Sequence, residues 1–167
     1  NIIKETQPIG YNTTFTYDST GTFRTKETNQ LGHVLNYGYD FGTGNLLFET
    51  RHGLNETYTY DLFGRLKTEI VSPDTSGLPT KNYTYILDGS APEIIKIQAK
   101  GVGSNYSEDL YFYDGFSNPV QIKSKYDSGT QIVKNYFYDG KYRIDEEQNP
   151  YFDSYSISLS TSTTGPK

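Results

Sequence analysis

A single tripeptide pattern constrains this chain more than any other feature: an aromatic residue, a variable residue, then Tyr. It occurs six times, as Phe15-Thr16-Tyr17, Tyr37-Gly38-Tyr39, Tyr58-Thr59-Tyr60, Tyr83-Thr84-Tyr85, Tyr111-Phe112-Tyr113 and Tyr136-Phe137-Tyr138. The second aromatics are spaced by 22, 21, 25, 28 and 25 residues, the kind of period that marks a repeat architecture. In five copies Asp follows at once: Asp18, Asp40, Asp61, Asp114 and Asp139. In the fourth, Ile86 and Leu87 intervene and the acid arrives as Asp88.

The physics of one unit is readable. Aromatics at i and i+2 point to the same face of an extended strand. Asp then opens a tight turn, with Gly three residues on in Asp18–Gly21 and Asp61–Gly64, the signature of a type I turn. The stretch from Arg65 to Ile70 alternates polar and apolar residues, as a returning hairpin arm should. Further turn sequences separate the units at Asn29 to Gly32, Arg51 to Gly53, Pro73 to Gly77, Gly101 to Asn105 and Asp127 to Gly129. Turn signals about every 9–14 residues predict an all-β, antiparallel meander of about twelve strands, twisted into a curved strip. We expect residues 1–153 to form this repeat region. The Ser/Thr-rich stretch from Ser154, residues 154–167, reads as a linker or frayed tail.

Composition agrees with that fold. There are 20 Thr, 16 Gly and 11 Asn against 2 Ala, which favours strands and turns over helix. The mean hydropathy is low, at −0.70. The 17 Tyr and 9 Phe supply the missing apolar area, because each aromatic covers roughly 150–250 Å². A net charge of −5 argues against a duplex nucleic-acid binder. With no Cys there is no disulfide, thiolate metal site or cysteine nucleophile. No apolar run approaches the ~20 residues of a membrane span. Asn1-Ile2-Ile3-Lys4 has neither an initiating Met nor a signal-peptide profile, so we expect a piece of a longer polypeptide.

Several segments resemble the Rhs or YD-repeat family, which includes bacterial polymorphic toxins, insecticidal toxin-complex shells and the animal teneurins. The similarity is carried by Asn29-Gln30-Leu31-Gly32-His33-Val34 with Tyr37-Gly38-Tyr39-Asp40, and by His52-Gly53-Leu54. Tyr58-Thr59-Tyr60-Asp61-Leu62-Phe63-Gly64-Arg65-Leu66 is close to the full hairpin motif. Tyr113-Asp114-Gly115-Phe116 and Tyr138-Asp139-Gly140 with Arg143 resemble later units. The likeness spans about residues 15–153 and departs from the motif in places. Ser117 and Tyr142 stand where the turn Gly belongs, and Asn118 replaces the Arg. The resemblance implies β-hairpins of a strip that winds into a hollow shell around an effector, in a secreted or cell-surface protein. This chain would be a wall segment. Its partners would then be the rest of its own shell and an enclosed effector domain.

Candidate chemistry is sparse. A phenol beside a carboxylate could act as acid and base, but a catalytic pair is needed once and this one recurs. We therefore read Tyr17, Asp18, Gly21, Tyr39, Asp40, Tyr60, Asp61, Gly64, Arg65, Tyr85, Tyr113, Asp114, Tyr138, Asp139 and Arg143 as structural parts of the repeat. We expect no catalytic, cofactor or metal residues. His33 and His52, two ligands without Cys, do not define a zinc site and read as solvated turn residues. Gly42-Thr43-Gly44 and Gly101-Val102-Gly103 lack the context of a dinucleotide loop. An alternative function is a carbohydrate- or receptor-binding module, with exposed Tyr rows stacking on sugar rings. Tyr-rich, low-charge strands with open edges also predict self-association of the fragment.

Overall fold

The computed structural model describes residues 1–8, 10–86, 89 and 91–161. Every regular element among them is a β-strand, joined antiparallel in a meander. The chain divides into two compact units, Asn1–Thr80 and Lys81–Lys167.

In the first unit the strands are β1 (Lys4–Thr6), β2 (Asn12–Tyr17), β3 (Arg24–Asn29), β4 (Val34–Tyr39), β5 (Leu46–Arg51), β6 (Leu54–Tyr60) and β7 (Leu66–Val71), each paired with the next. The second unit holds β8 (Lys81–Ile86), β9 (Glu93–Lys100), β10 (Tyr106–Tyr113), β11 (Pro119–Lys125), β12 (Thr130–Tyr138) and β13 (Ile144–Glu147), again in sequence order. Its last strand, β14 (Tyr151–Ser154), departs from the meander and pairs with β12, beside Thr130 to Val133. The six repeat units are the hairpins β2–β3 to β12–β13, which give the twelve strands expected. The two further strands are the terminal β1 and β14.

A feature invisible in the repeat spacing appears in the pairing. In β2, β4, β6, β10 and β12 the register shifts immediately before the second aromatic, at Tyr17, Tyr39, Tyr60, Tyr113 and Tyr138. A β-bulge there bends the strand and strengthens its twist, delivering the chain into the turn that Asp opens. The fourth unit is different. From Lys81 to Ile86 strand β8 pairs with β9 in unbroken register. Its delayed Asp88 and the preceding Leu87 lie outside the described residues.

The two faces of the meander differ in chemistry. Aromatics at i and i+2 share one face and are half-buried: Phe15 and Tyr17, Tyr37 and Tyr39, Tyr58 and Tyr60, Tyr83 and Tyr85, Tyr111 and Tyr113. The variable residue between them points to the opposite face. In the first unit that opposite face is exposed at Thr16, Thr57 and Thr59. Phe48 on β5 lies across Gly38 on β4, so close that a Cβ on Gly38 would sit 2.1 Å from its ring. The repeat there tolerates no side chain at its variable position.

In the second unit the opposite face is the core. Leu110, Phe112 and Val133 are at most 2% exposed. Of the residues described as buried, only Pro79 lies in the first unit.

Candidate functional site

The repeat turn is the first place where the sequence motif becomes geometry. At Asp61 the Oδ1 atom accepts the backbone N–H groups of Phe63 (2.9 Å) and Arg65 (3.0 Å). The Oδ2 atom takes the Arg65 guanidinium through Nε (2.7 Å) and an Nη (2.6 Å). Asp139 repeats this with Lys141, Arg143 and the Arg143 guanidinium, at 2.8, 3.0, 2.8 and 2.7 Å. Asp114 accepts from Phe116 and Asn118 N–H groups, and Asn118 Nδ2 donates to Oδ2 at 3.0 Å in place of the Arg. Asp18 and Asp40 accept N–H groups from Phe23 and Thr20, and from Gly42 and Thr43. The backbone closes each turn as well, as in Gly64 N–H to Asp61 C=O (3.0 Å) and Asp61 N–H to Arg65 C=O (2.9 Å).

The turn Gly is required by a left-handed backbone, with φ +72° at Gly21 and +77° at Gly64. Where the motif departs, the conformation does not: Ser117 and Tyr142 adopt φ +67° and +59°. Asn29, between repeats, makes the same turn with an amide oxygen, accepting from Leu31 and His33 N–H groups at 3.0 and 2.9 Å.

These contacts shift the acids. Hydrogen bonds lower the Asp18 (first from Thr20), Asp40 (first from the Thr43 N–H), Asp114 (first from Asn118) and Asp139 (first from the Arg143 N–H) carboxyls below the usual range. At Asp61 desolvation pushes upward, and the Arg65 contacts outweigh it.

The second aromatic ties each hairpin to the chain behind it. Tyr17, Tyr60 and Tyr138 donate their hydroxyls to the carbonyls of Ile2 (2.9 Å), Leu46 (2.8 Å) and Pro119 (2.9 Å). Tyr39 stacks on Phe23 with centroids 4.8 Å apart. Tyr85 and Tyr113 are half-buried in their strands. No motif Tyr–Asp pair is hydrogen-bonded side chain to side chain among these contacts. Each Asp faces its own turn and each of the three hydroxyls a main-chain carbonyl.

The second place was not anticipated. On the buried face of the second unit a row of polar residues replaces an apolar core: Glu108, Gln121, Lys123, Gln131, Asn135 and Gln148, each at most 8% exposed. Above them runs the segment from Tyr155 to Ser160. Gln131 Nε2 donates to the Ser154 carbonyl (2.8 Å), and its Oε1 accepts the Ser156 N–H (3.3 Å). Lys123 Nζ donates to the carbonyls of Ser156 (3.2 Å) and Ser158 (2.5 Å). Gln121 engages both main-chain groups of Ser160, at 3.1 and 2.9 Å. Gln121 also bonds Asn135, which bonds Gln148, both at 2.6 Å.

One side chain of the segment reaches the sheet at its start. The Tyr155 hydroxyl donates to Glu108 Oε1 at 2.6 Å, with the Lys125 ammonium 5.1 Å from its ring. That bond, helped by burial, pushes the phenol up to about 12. Burial raises Glu108, but Tyr155 and Lys96 hold it below the usual range. Desolvation lowers the Lys123 ammonium. Of the tail expected from Ser154, residues 162–167 lie outside the described residues, while the described part is hydrogen-bonded along β11 and β12.

Two smaller clusters complete the survey. His33 and His52, both exposed at turns, meet edge to face with centroids 4.8 Å apart. Among the described residues no group of three or more His, Cys, Asp or Glu is placed to hold a metal ion. Glu49 and Glu56 are direct cross-strand partners, with Glu69 opposite Tyr58. Burial, then the Glu56 hydrogen bond, raises the Tyr58 phenol.

No family model matches the chain, and no curated protein matches it. Solved structures with a similar fold include a chain from the crystal structure of TcdB2-TccC3-Cdc42. The match has a TM-score of 0.47 and 16% identity, and covers 85% of this chain. This chain spans 10% of the length of that one.

Proposed function

We propose that this chain is a non-enzymatic wall segment of a shell of the Rhs or YD-repeat kind. The shell would enclose or present an effector within a larger secreted or cell-surface protein. The observation that carries this reading is the repeated use of one device: bulge, Tyr, Asp, left-handed turn. In five units the carboxylate is consumed by backbone N–H groups of its own turn. Tyr17, Tyr60 and Tyr138 spend their hydroxyls on carbonyls 14 to 19 residues upstream. A group committed to holding its own hairpin is poorly placed to turn over a substrate or to bind sugar hydroxyls. A meander of such hairpins extends by adding units, which suits a wall.

The test is electron microscopy of the full-length parent polypeptide. We expect these hairpins in the wall of a closed, hollow particle containing further density. A parent that lacks additional Tyr–Asp hairpins, or forms a solid or open particle, contradicts the proposal.

A further inference from the structure

The structure assigns a second role to the buried polar face of the second unit. We propose that it is a clamp that reads the main chain of an irregular polypeptide segment, with one tyrosine as its side-chain anchor. Its occupant is this chain's own Tyr155–Ser160. The inference is independent of the shell reading, because it rests only on contacts within the second unit.

Three side chains rising from β11 and β12 make six hydrogen bonds to the segment, all to backbone atoms. The carbonyls held belong to alternate residues, Ser154, Ser156, Ser158 and Ser160. Gln131 and Gln121 each pair one amide with an N–H and a C=O of the segment, as a neighbouring β-strand would. Lys123 sits between them and serves two carbonyls from a position 1% exposed. Strand addition to a sheet edge binds peptides through this kind of main-chain pairing. Here side-chain amides do the work of the edge, so a sheet face can accept a chain that forms no strand.

The side chains of the segment contribute little toward the sheet. Ile157 and Leu159 are 50% and 40% exposed. The Ser160 hydroxyl turns to Asp153 on β14, not to the clamp. Only Tyr155 enters, to meet Glu108. The ligand class is therefore an aromatic hydroxyl followed by about five residues of arbitrary sequence, recognised by peptide groups.

Amide exchange by NMR on the full chain tests this, read at Ser156 and Ser160, the two donors to the clamp. The exposed-side-chain variant I157S/L159S should keep both amides protected within twofold. Q131L should speed exchange at Ser156 at least tenfold, and Q121L at Ser160, with Leu110 and Val133 amides unchanged. Loss of protection in I157S/L159S overturns the proposal, as does full protection in the Gln variants. If the Gln variants also lose protection at Leu110 and Val133, S160P decides, since it alters only the occupant. S160P should open the segment to limited proteolysis while the strand amides stay protected. A segment that remains resistant in S160P contradicts the clamp.

Discussion

The two units use the same hairpin and bury it differently. In the first unit one face carries half-buried aromatics and the other shows Thr16, Thr57 and Thr59 to solvent. In the second unit Phe112 occupies the position equivalent to Thr16 and is fully buried. The difference is what lies above it: the Tyr155–Ser160 segment, hydrogen-bonded to Gln121, Lys123 and Gln131. A β-hairpin repeat thus specifies strand, bulge and turn, while the depth of burial is set by whatever covers the second face. Polar residues under such a cover must be satisfied, since an unpaired buried group costs ~1–3 kcal/mol. The Gln121–Asn135–Gln148 chain does this.

The comparison breaks most easily at the variable position of the motif. Phe112→Ala should destabilise the second unit by about 3–5 kcal/mol through lost burial and a cavity, read by urea unfolding. Thr16→Ala, at the same motif position on an exposed face, should stay within about 0.5 kcal/mol. Equal losses would erase the distinction between the units.

The turns are shared by both units and should respond alike. A residue with a Cβ costs roughly 1–2 kcal/mol in the left-handed region. Gly64→Ala should lose about that much, and Ser117→Gly should gain a similar amount, both measured by thermal or urea unfolding. A Ser117→Gly variant no more stable than the parent would show that the position is not strained.

Acid should act on turns in both units together. The carboxyls of Asp18, Asp40, Asp61, Asp114 and Asp139 lie below the ordinary Asp value of 3.8. Their stabilisation is therefore complete above that value and is lost as pH falls through the lower folded values. Replacing all five with Asn keeps the N–H acceptor, as Asn29 demonstrates, but removes the titration. Stability of that variant should fall less steeply than the parent's below about pH 4. An unchanged acid slope would place the titration elsewhere.

The smallest effect belongs to the first unit alone. Glu49 and Glu56 face each other across β5 and β6, and like charges directly opposite cost ~0.2–1 kcal/mol. Glu56→Gln should recover a few tenths to 1 kcal/mol in urea unfolding at low salt, and less at high salt. A loss of stability would mean that the Glu56 contact with Tyr58 outweighs the repulsion.

The sequence made the hairpins legible because their determinants are side chains at fixed spacing: paired aromatics, Asp, and Gly or its replacement three residues on. Even the departures at Ser117, Asn118 and Tyr142 could be named beforehand, since each stands at a position with a defined job. The bulge left no separate mark, although its place is fixed by the Tyr–Asp junction. The clamp was illegible for a physical reason. A segment held by its main chain needs no particular side chains, so Ser156 to Ser160 has the composition of a linker. Its receptor was hidden too, because Gln121, Lys123, Gln131 and Asn135 alternate along their strands as a solvent-facing row would. Phe112 and Phe137 supplied a signal, since Phe replaces Thr or Gly between the aromatics. Only Phe112 is covered; Phe137 is 46% exposed.

Native-state hydrogen exchange across the whole chain, as a function of denaturant, tests most directly whether the cover separates the units. Amides of β10, β11 and β12 beneath the Tyr155–Ser160 segment should exchange only through the costliest opening. Those of β2 to β6 should exchange through openings at least 1–2 kcal/mol cheaper, about a five- to thirtyfold difference in rate. Uniform protection across both units, or greater protection in β2 to β6, would contradict the account.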